Sequence, residues 1–199
     1  MKTPRSILRR TAAIAAAILL LGLPAAAAAA PSWWAGLGVR DLAGRPLTVQ
    51  GRWLVVIFLG QDCPVSNAAI PVLNKLAAEF SPRGFTFVGA YVDPTADLAT
   101  LRAHASDYAL SFKTADDRPH VLSRTAGASY TPQVAVFAAD GTRAYLGRID
   151  DRVGDLGVSR PRAAHQDLRE VLVALVGGAK GPFEGKPGYG CAIPEAVHP

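Results

Sequence analysis

Cysteine is scarce in this chain, with only Cys63 and Cys191 among 199 residues. At most one bridge can form, which excludes a small disulfide-stapled scaffold. Histidine is nearly as sparse. His104, His120, His165 and His198 fall on predicted helices or at the extreme terminus, and no pair has metal-ligand spacing; no metal and no cofactor is expected. The chain also lacks a surplus of one charge once its first residues are set aside. Of 21 basic residues, four (Lys2, Arg5, Arg9 and Arg10) precede the domain, leaving 21 − 4 = 17 against 16 acidic ones. A balance so close to neutral supplies no field for attracting nucleic acid or an anionic membrane. Neither partner is expected for the mature form, and no internal repeat is present.

What is there begins with a leader. The basic cluster precedes an apolar run from Thr11 to Leu23 and an Ala-rich stretch, Ala25 to Ala30, which is the layout of a secretory signal. Residues 1–29 are therefore read as a signal peptide, cleaved at or just before Ala29, with export to the periplasm or cell envelope. Two variants remain open: an uncleaved anchor, since residues 11–30 carry no charge and number about enough to span a bilayer, and a twin-arginine signal at Arg9 and Arg10.

Residues 30–178 read as one domain. Trp53 to Leu59 is a continuous apolar run between Gly51 and Gly60, the pattern of a strand buried on both faces. Helical spacing follows from Pro64 to Phe80, with Val65, Ala68, Ala69, Val72, Leu73, Leu76, Ala77 and Phe80 on one broad face. Pro64 suits a first turn, whereas Pro71 in the interior is expected to kink the helix. Phe85 to Val92 is a second strand, Ala96 to Tyr108 a second helix, Phe112 to Thr114 a short edge piece and His120 to Ala126 a short helix. Gln133 to Phe137 and Thr142 to Leu146 are strands joined at Asp140 and Gly141, a strong hairpin signal. Ala163 to Val176 is a closing amphipathic helix. Before all these, Asp41 to Gly44 reads as a tight turn between two short strands, and Trp33 and Trp34 as packing residues. The order predicts an α/β fold, a mixed sheet covered by helices on both faces. Residues 179–199, rich in Gly and Pro, read as a tail without regular structure that carries Cys191.

Chemistry is expected at the strand-to-helix junction, Gly60 to Ser66. A cysteine just before a helix sits near unpaired backbone N–H groups and the positive end of the helix dipole, and both favour thiolate over thiol. The Ser66 hydroxyl adds a hydrogen bond to the sulfur, and the neighbouring Asp62 opposes ionisation. A buried, inert cysteine that merely packs is the competing reading.

The stretch Val56 to Leu76 resembles the thioredoxin-like superfamily, in particular the redoxin branch of peroxiredoxins and periplasmic thioredoxins. Cys63 falls on the first cysteine of that family's Cys-x-x-Cys, Ser66 on the second and Pro71 on its helix-kinking proline. Tyr130, Thr131 and Pro132 are similar to its cis-proline loop, which sits against the active-site thiol and presents the preceding residue to a partner. The resemblance runs from about Gly38 to Val176. It implies a thioredoxin fold and a thiol-based redox function, either thiol-disulfide exchange or a peroxiredoxin-like antioxidant role. Cys63 and Cys191 would be catalytic, and Pro64, Ser66, Thr131 and Pro132 would support the site. The partner would be a thiol or disulfide protein or a small peroxide. Gly147 to Asp151 and Gly190 to Ile193 are similar to features of a subgroup of bacterial exported redoxin-domain proteins.

Two departures from the pattern matter. Ser66 in place of a second cysteine excludes a dithiol cycle confined to Cys-x-x-Cys, and Gly60 stands where peroxiredoxins place a threonine. Cys191 lies 128 positions beyond Cys63 and has three readings: a resolving thiol that attacks oxidised Cys63, half of a static bridge, or an independent thiol. Arg148, Asp150 and Asp151 follow a strand and could form an ion-pair cluster; they read as a solvated charged loop in preference to a role at the site. Two other functions stay open beside the redox one: copper handling, which would normally use two nearby cysteines plus a histidine, and a non-catalytic binding module.

Overall fold

The computed structural model describes residues 32–154 and 159–195; the leader falls outside them. In chain order the elements are α1 (Ser32–Gly36), β1 (Trp53–Leu59), α2 (Pro64–Phe80), β2 (Phe85–Tyr91), α3 (Leu98–Asp107), β3 (Lys113–Asp116), α4 (Val121–Ala126), β4 (Tyr130–Thr131), β5 (Gln133–Ala138), β6 (Arg143–Gly147), α5 (Asp167–Val176) and β7 (Cys191–Ala192). The main sheet has the order β3-β2-β1-β5-β6. The β1–β2 and β2–β3 pairs are parallel, and the β1–β5 and β5–β6 pairs antiparallel. β1 is the central strand, which is why its seven residues are apolar without alternation.

The pleat of β1 divides the core. Trp53, Val55, Ile57 and Leu59 pack with Leu73, Leu76 and Phe80 of α2 and Leu168, Leu172 and Leu175 of α5. Leu54, Val56 and Phe58 pack with Trp34 of α1 and Leu122 and Ala126 of α4 on the other face. Each such side chain contributes about 1.5–3 kcal/mol when fully buried, so the fold is held by its core rather than by a bridge. Helix α2 is continuous through the Pro71 position and has Pro64 in its first turn, where the missing N–H removes no bond. Its buried face is rotated from the expected one at the start: Ser66 and Ile70 point inward, and Ala68 is exposed.

Four segments differ from expectation. Trp33 and Trp34 lie on a short helix, α1, and Trp34 donates to the Leu47 carbonyl at 2.7 Å. The two short strands expected around Asp41 reduce to a single bridge between Arg40 and Pro46, because the Asp41 carboxylate takes the Ala43 and Arg45 amides at 2.8 and 2.9 Å and fixes a turn. Helix α5 begins at Asp167, later than Ala163, because Asp151 accepts the Ala164 and His165 amides at 2.8 and 3.0 Å. Asp151 is correspondingly 5% exposed and pairs with Arg160, Asp150 pairs with Arg152, and Arg148 reaches Asp167 at 2.7 Å. This is a fastening of the β6–α5 connection, not a solvated loop.

The tail is the largest difference. The Phe183 amide donates to the Ala144 carbonyl at 2.7 Å, and the Arg148 amide donates to Lys186 at 3.2 Å. β7 then pairs antiparallel with β4, Thr131 opposite Cys191 and Tyr130 opposite Ala192. The segment is a strap laid along β6 and across the Thr131–Pro132 loop.

Candidate functional site

Strand β1 ends at Leu59, and the chain turns through Gly60 into α2. The Cys63 amide donates back to the Gly60 carbonyl at 3.1 Å, and the Asn67 amide donates to the Cys63 carbonyl at 3.0 Å, closing the first helical turn. Cys63 itself is the extended residue that caps α2, at φ −85° and ψ 111°. A Cβ at Gly60 would lie 3.1 Å from the Thr131 hydroxyl and 3.2 Å from the Cys63 Cβ; a larger residue there would press on both.

From the other side come Thr131 and Pro132, joined by a cis peptide bond. The Cys63 Sγ lies 3.4 Å from the Thr131 carbonyl oxygen. Because Thr131 is the register partner of Cys191, the strap brings the second thiol to the first. Four residues that the sequence placed at the site, Cys63, Ser66, Thr131 and Cys191, therefore converge, with Pro64 and Pro132 flanking them. Both cysteines are free thiols.

The electrostatics separate the two sulfurs. Burial pushes the Cys63 thiol up, but the Cys191 thiol, the Ser66 amide, the Thr131 hydroxyl and the Ser66 hydroxyl together outweigh it and bring it down to about 7. Burial, then the hydrogen bond and charge of Cys63, push Cys191 up to about 11. In the reduced pair Cys63 is the thiol that ionises first, and Cys191 keeps its proton. Asp62 is exposed, and its carboxylate accepts from Gln61 Nε2 at 3.1 Å. Although Cys63 is only 3% exposed, it lines a cleft of about 160 Å³ with Gln61, Asp93, Thr131 and Cys191. That volume admits a few heavy atoms.

Sequence reasoning missed the polar group behind this loop. Gln61 Nε2 donates to Asp93 at 2.7 Å, and Asn67 Nδ2 donates to the Gln61 carbonyl at 3.0 Å. Asn67 Oδ1 lies 2.9 Å from His104 Nε2, whose Nδ1 is 2.8 Å from the Tyr91 hydroxyl. Since Asn67 Oδ1 can only accept, His104 carries its proton on Nε2, and Nδ1 accepts from Tyr91. Burial holds the His104 pKa low against the opposing charges of Asp62 and Asp107. The signal was present: His104 stands three residues after Leu101, on the same inward face of α3. Among the described residues no three His, Cys, Asp or Glu side chains gather to hold a metal ion, and no helix is long and apolar enough to cross a membrane.

Comparison with known proteins adds to this geometry. The profile of the AhpC/TSA family matches residues 40–145. No protein of curated function matches the chain significantly. Among solved structures, an uncharacterised conserved protein from Geobacillus kaustophilus aligns with TM-score 0.68 and 23% identity, over 78% of this chain and 86% of that one. A secreted Mycobacterium tuberculosis disulfide oxidoreductase homologous to Escherichia coli DsbE aligns with TM-score 0.51 and 26% identity, over 69% and 96%. The bacterioferritin comigratory protein of Xanthomonas campestris, studied for alkyl peroxide reduction, aligns with TM-score 0.54 and 18% identity, over 77% and 98%.

Proposed function

The chain belongs to the AhpC/TSA family, and from that premise we propose that it is an exported thiol oxidoreductase in which Cys63 is the nucleophile and Cys191 resolves the oxidised product. The observation that carries this reading is the pairing of Thr131 with Cys191, which sets a protonated thiol against a sulfur whose pKa is about 7. The likeness to a secreted disulfide oxidoreductase supports the exported setting, as does the leader pattern of residues 1–29.

Two steps oxidise the cysteine pair, and a third restores it. The Cys63 thiolate attacks one oxygen of a hydroperoxide, an S–O bond forms as the O–O bond breaks, and the departing oxygen takes a proton to leave as alcohol or water. With a disulfide substrate the same thiolate breaks the S–S bond and forms a mixed disulfide, releasing the other sulfur as a thiol. Cys191 then attacks the Cys63 sulfur, expelling water or the second thiol and leaving a Cys63–Cys191 disulfide. An external dithiol returns both cysteines to the reduced state. The amide and hydroxyl of Ser66 serve the first step by stabilising the thiolate, and the Thr131–Pro132 loop holds the strap in register for the second.

Peroxide consumption and insulin reduction, measured for wild type, Cys63→Ser and Cys191→Ser, test the assignment. Cys63→Ser abolishes turnover, and Cys191→Ser leaves a sulfenic acid that dimedone traps. Equal rates for wild type and Cys63→Ser in both assays reject it.

A further inference from the structure

The strap is fitted to its bed through its glycines. A Cβ on Gly185 would overlap the Leu146 carbonyl, and one on Gly190 would overlap the Thr131 carbonyl. A Cβ on Gly188 would sit 2.8 Å from the Arg148 Cβ and 2.9 Å from the Tyr130 hydroxyl, to which the Gly188 amide donates at 2.9 Å. Three positions within six residues thus need the absence of a side chain for the backbone to lie flush. The bed includes a strand edge. Within its sheet, β4 pairs only with β7, and the Ser129 carbonyl accepts the Ile193 amide at 3.0 Å. Such an edge, stripped of the strap, would offer its N–H and C=O groups to an extended segment of another chain. With the strap in place, a polypeptide finds that edge filled, and a cleft of about 160 Å³ leads to Cys63.

We propose that the C-terminal strap, through Gly185, Gly188 and Gly190, determines the specificity of Cys63: docked, it admits small oxidants and excludes protein disulfides. This rests on Cys63 being the reactive thiol, as proposed above, but its test does not need turnover. The strap exposes most of its side chains and is held largely through backbone, with Phe183 and Ile193 as its apolar contacts to the core, so its docking is a local equilibrium separable from global unfolding.

The test uses the full, reduced chain and peptide mapping. Alkylation of Cys63 is compared for iodoacetamide and for a maleimide carried on a polyethylene glycol chain, in wild type, Gly185→Val and the milder Gly188→Ala. Hydrogen exchange of the Phe183, Gly188 and Ile193 amides reports strap docking in the same samples. The expected result is loss of exchange protection together with a rise of roughly tenfold in the large-to-small reagent ratio, the response to docking weakened by about 1.4 kcal/mol. Protection lost with the ratio unchanged overturns the proposal, and so does protection unchanged in both variants, since the glycine fit would then not hold the strap. Absence of turnover with any oxidant would sink the redox reading while leaving the alkylation ratio to decide this one.

Discussion

Cys63 and Cys191 meet in space but are held there by different means. Cys63 stands between a central strand and a helix whose side chains fill the core, among them Ile57, Leu59, Leu73 and Leu76. Cys191 stands on a two-residue strand, exposed, at the end of a segment that clings by backbone hydrogen bonds. Side-chain packing thus fixes the nucleophile, and backbone fit, with only Phe183 and Ile193 packed on the core among the described strap residues, fixes its partner. The first arrangement is costly to disturb and resists opening, whereas the second opens without unfolding the domain.

The largest expected effect is on the core side. Leu73→Ala removes a side chain with no exposure from between α2 and the sheet, and urea unfolding should show a loss of about 2–5 kcal/mol. Gly185→Val, although its Cβ overlaps a carbonyl, should release the strap and change global stability by only about 1 kcal/mol or less. A Gly185→Val as destabilising as Leu73→Ala would break the comparison, because the strap would then be part of the cooperative core.

Next in size is the ionisation of Cys63, where the two regions couple. With a pKa of about 7, roughly half of Cys63 is thiolate at neutral pH, against a few per cent for an ordinary cysteine, so alkylation should be about tenfold faster there. The Cys191 thiol is the largest of the influences that lower this pKa. A donor stabilises the anion, so Cys191→Ala should move the midpoint of the alkylation–pH profile upward; a midpoint that stays near 7 would show that the strap does not tune the nucleophile. The linkage has the matching sign. A folded pKa below the ordinary thiol value contributes stability that is present in full above that value and is lost as pH falls through about 7.

This contrast also explains what the sequence disclosed. β1 and α2 were legible to the residue, because seven consecutive apolar residues between glycines and a 3.6-residue apolar period both report burial. Cys63 and Ser66 were read from their place at the β1–α2 junction, and Thr131 and Pro132 from the family resemblance. The strap was not legible. Its side chains are mostly exposed, so hydropathy carries no trace of it, and glycines needed for close approach look like glycines of a loose linker. Asp151 was misread for a related reason: its burial depends on amides of residues 164 and 165 and on Arg160, contacts that no local pattern announces.

A smaller effect should come from behind the docking edge. Asp117 is buried and accepts the Leu122 and Ser123 amides at 2.7 and 2.9 Å, satisfying the start of α4, the helix that leads into β4. Asp117→Ala should cost about 1–2 kcal/mol in urea unfolding and, unlike Leu73→Ala, should also reduce exchange protection of the Ile193 amide, since Ser129 that receives it follows directly from α4. A loss of stability with Ile193 protection unchanged would place the anchor of that edge elsewhere.

The smallest effect concerns the polar group on the core side of Cys63. Tyr91→Phe removes the hydroxyl that donates to His104 Nδ1 at 2.8 Å and leaves every apolar contact of the ring in place. One net hydrogen bond to a neutral buried acceptor is worth about 1 kcal/mol. A hydrogen bond donated to Nδ1 favours the neutral imidazole, so its loss should raise the His104 pKa from the low position that burial gives it, an upward shift that NMR titration of the imidazole would record. The chain of bonds from His104 reaches the Cys63 loop through Asn67, at the Gln61 and Cys63 carbonyls, and none of the groups that lower the Cys63 pKa belongs to it. The alkylation midpoint of Cys63 should therefore stay near 7 in Tyr91→Phe while Cys191→Ala moves it. If Tyr91→Phe moved it as far, the nucleophile would be tuned from the core side after all, and the division between packing that positions Cys63 and a strap that sets its charge would fail.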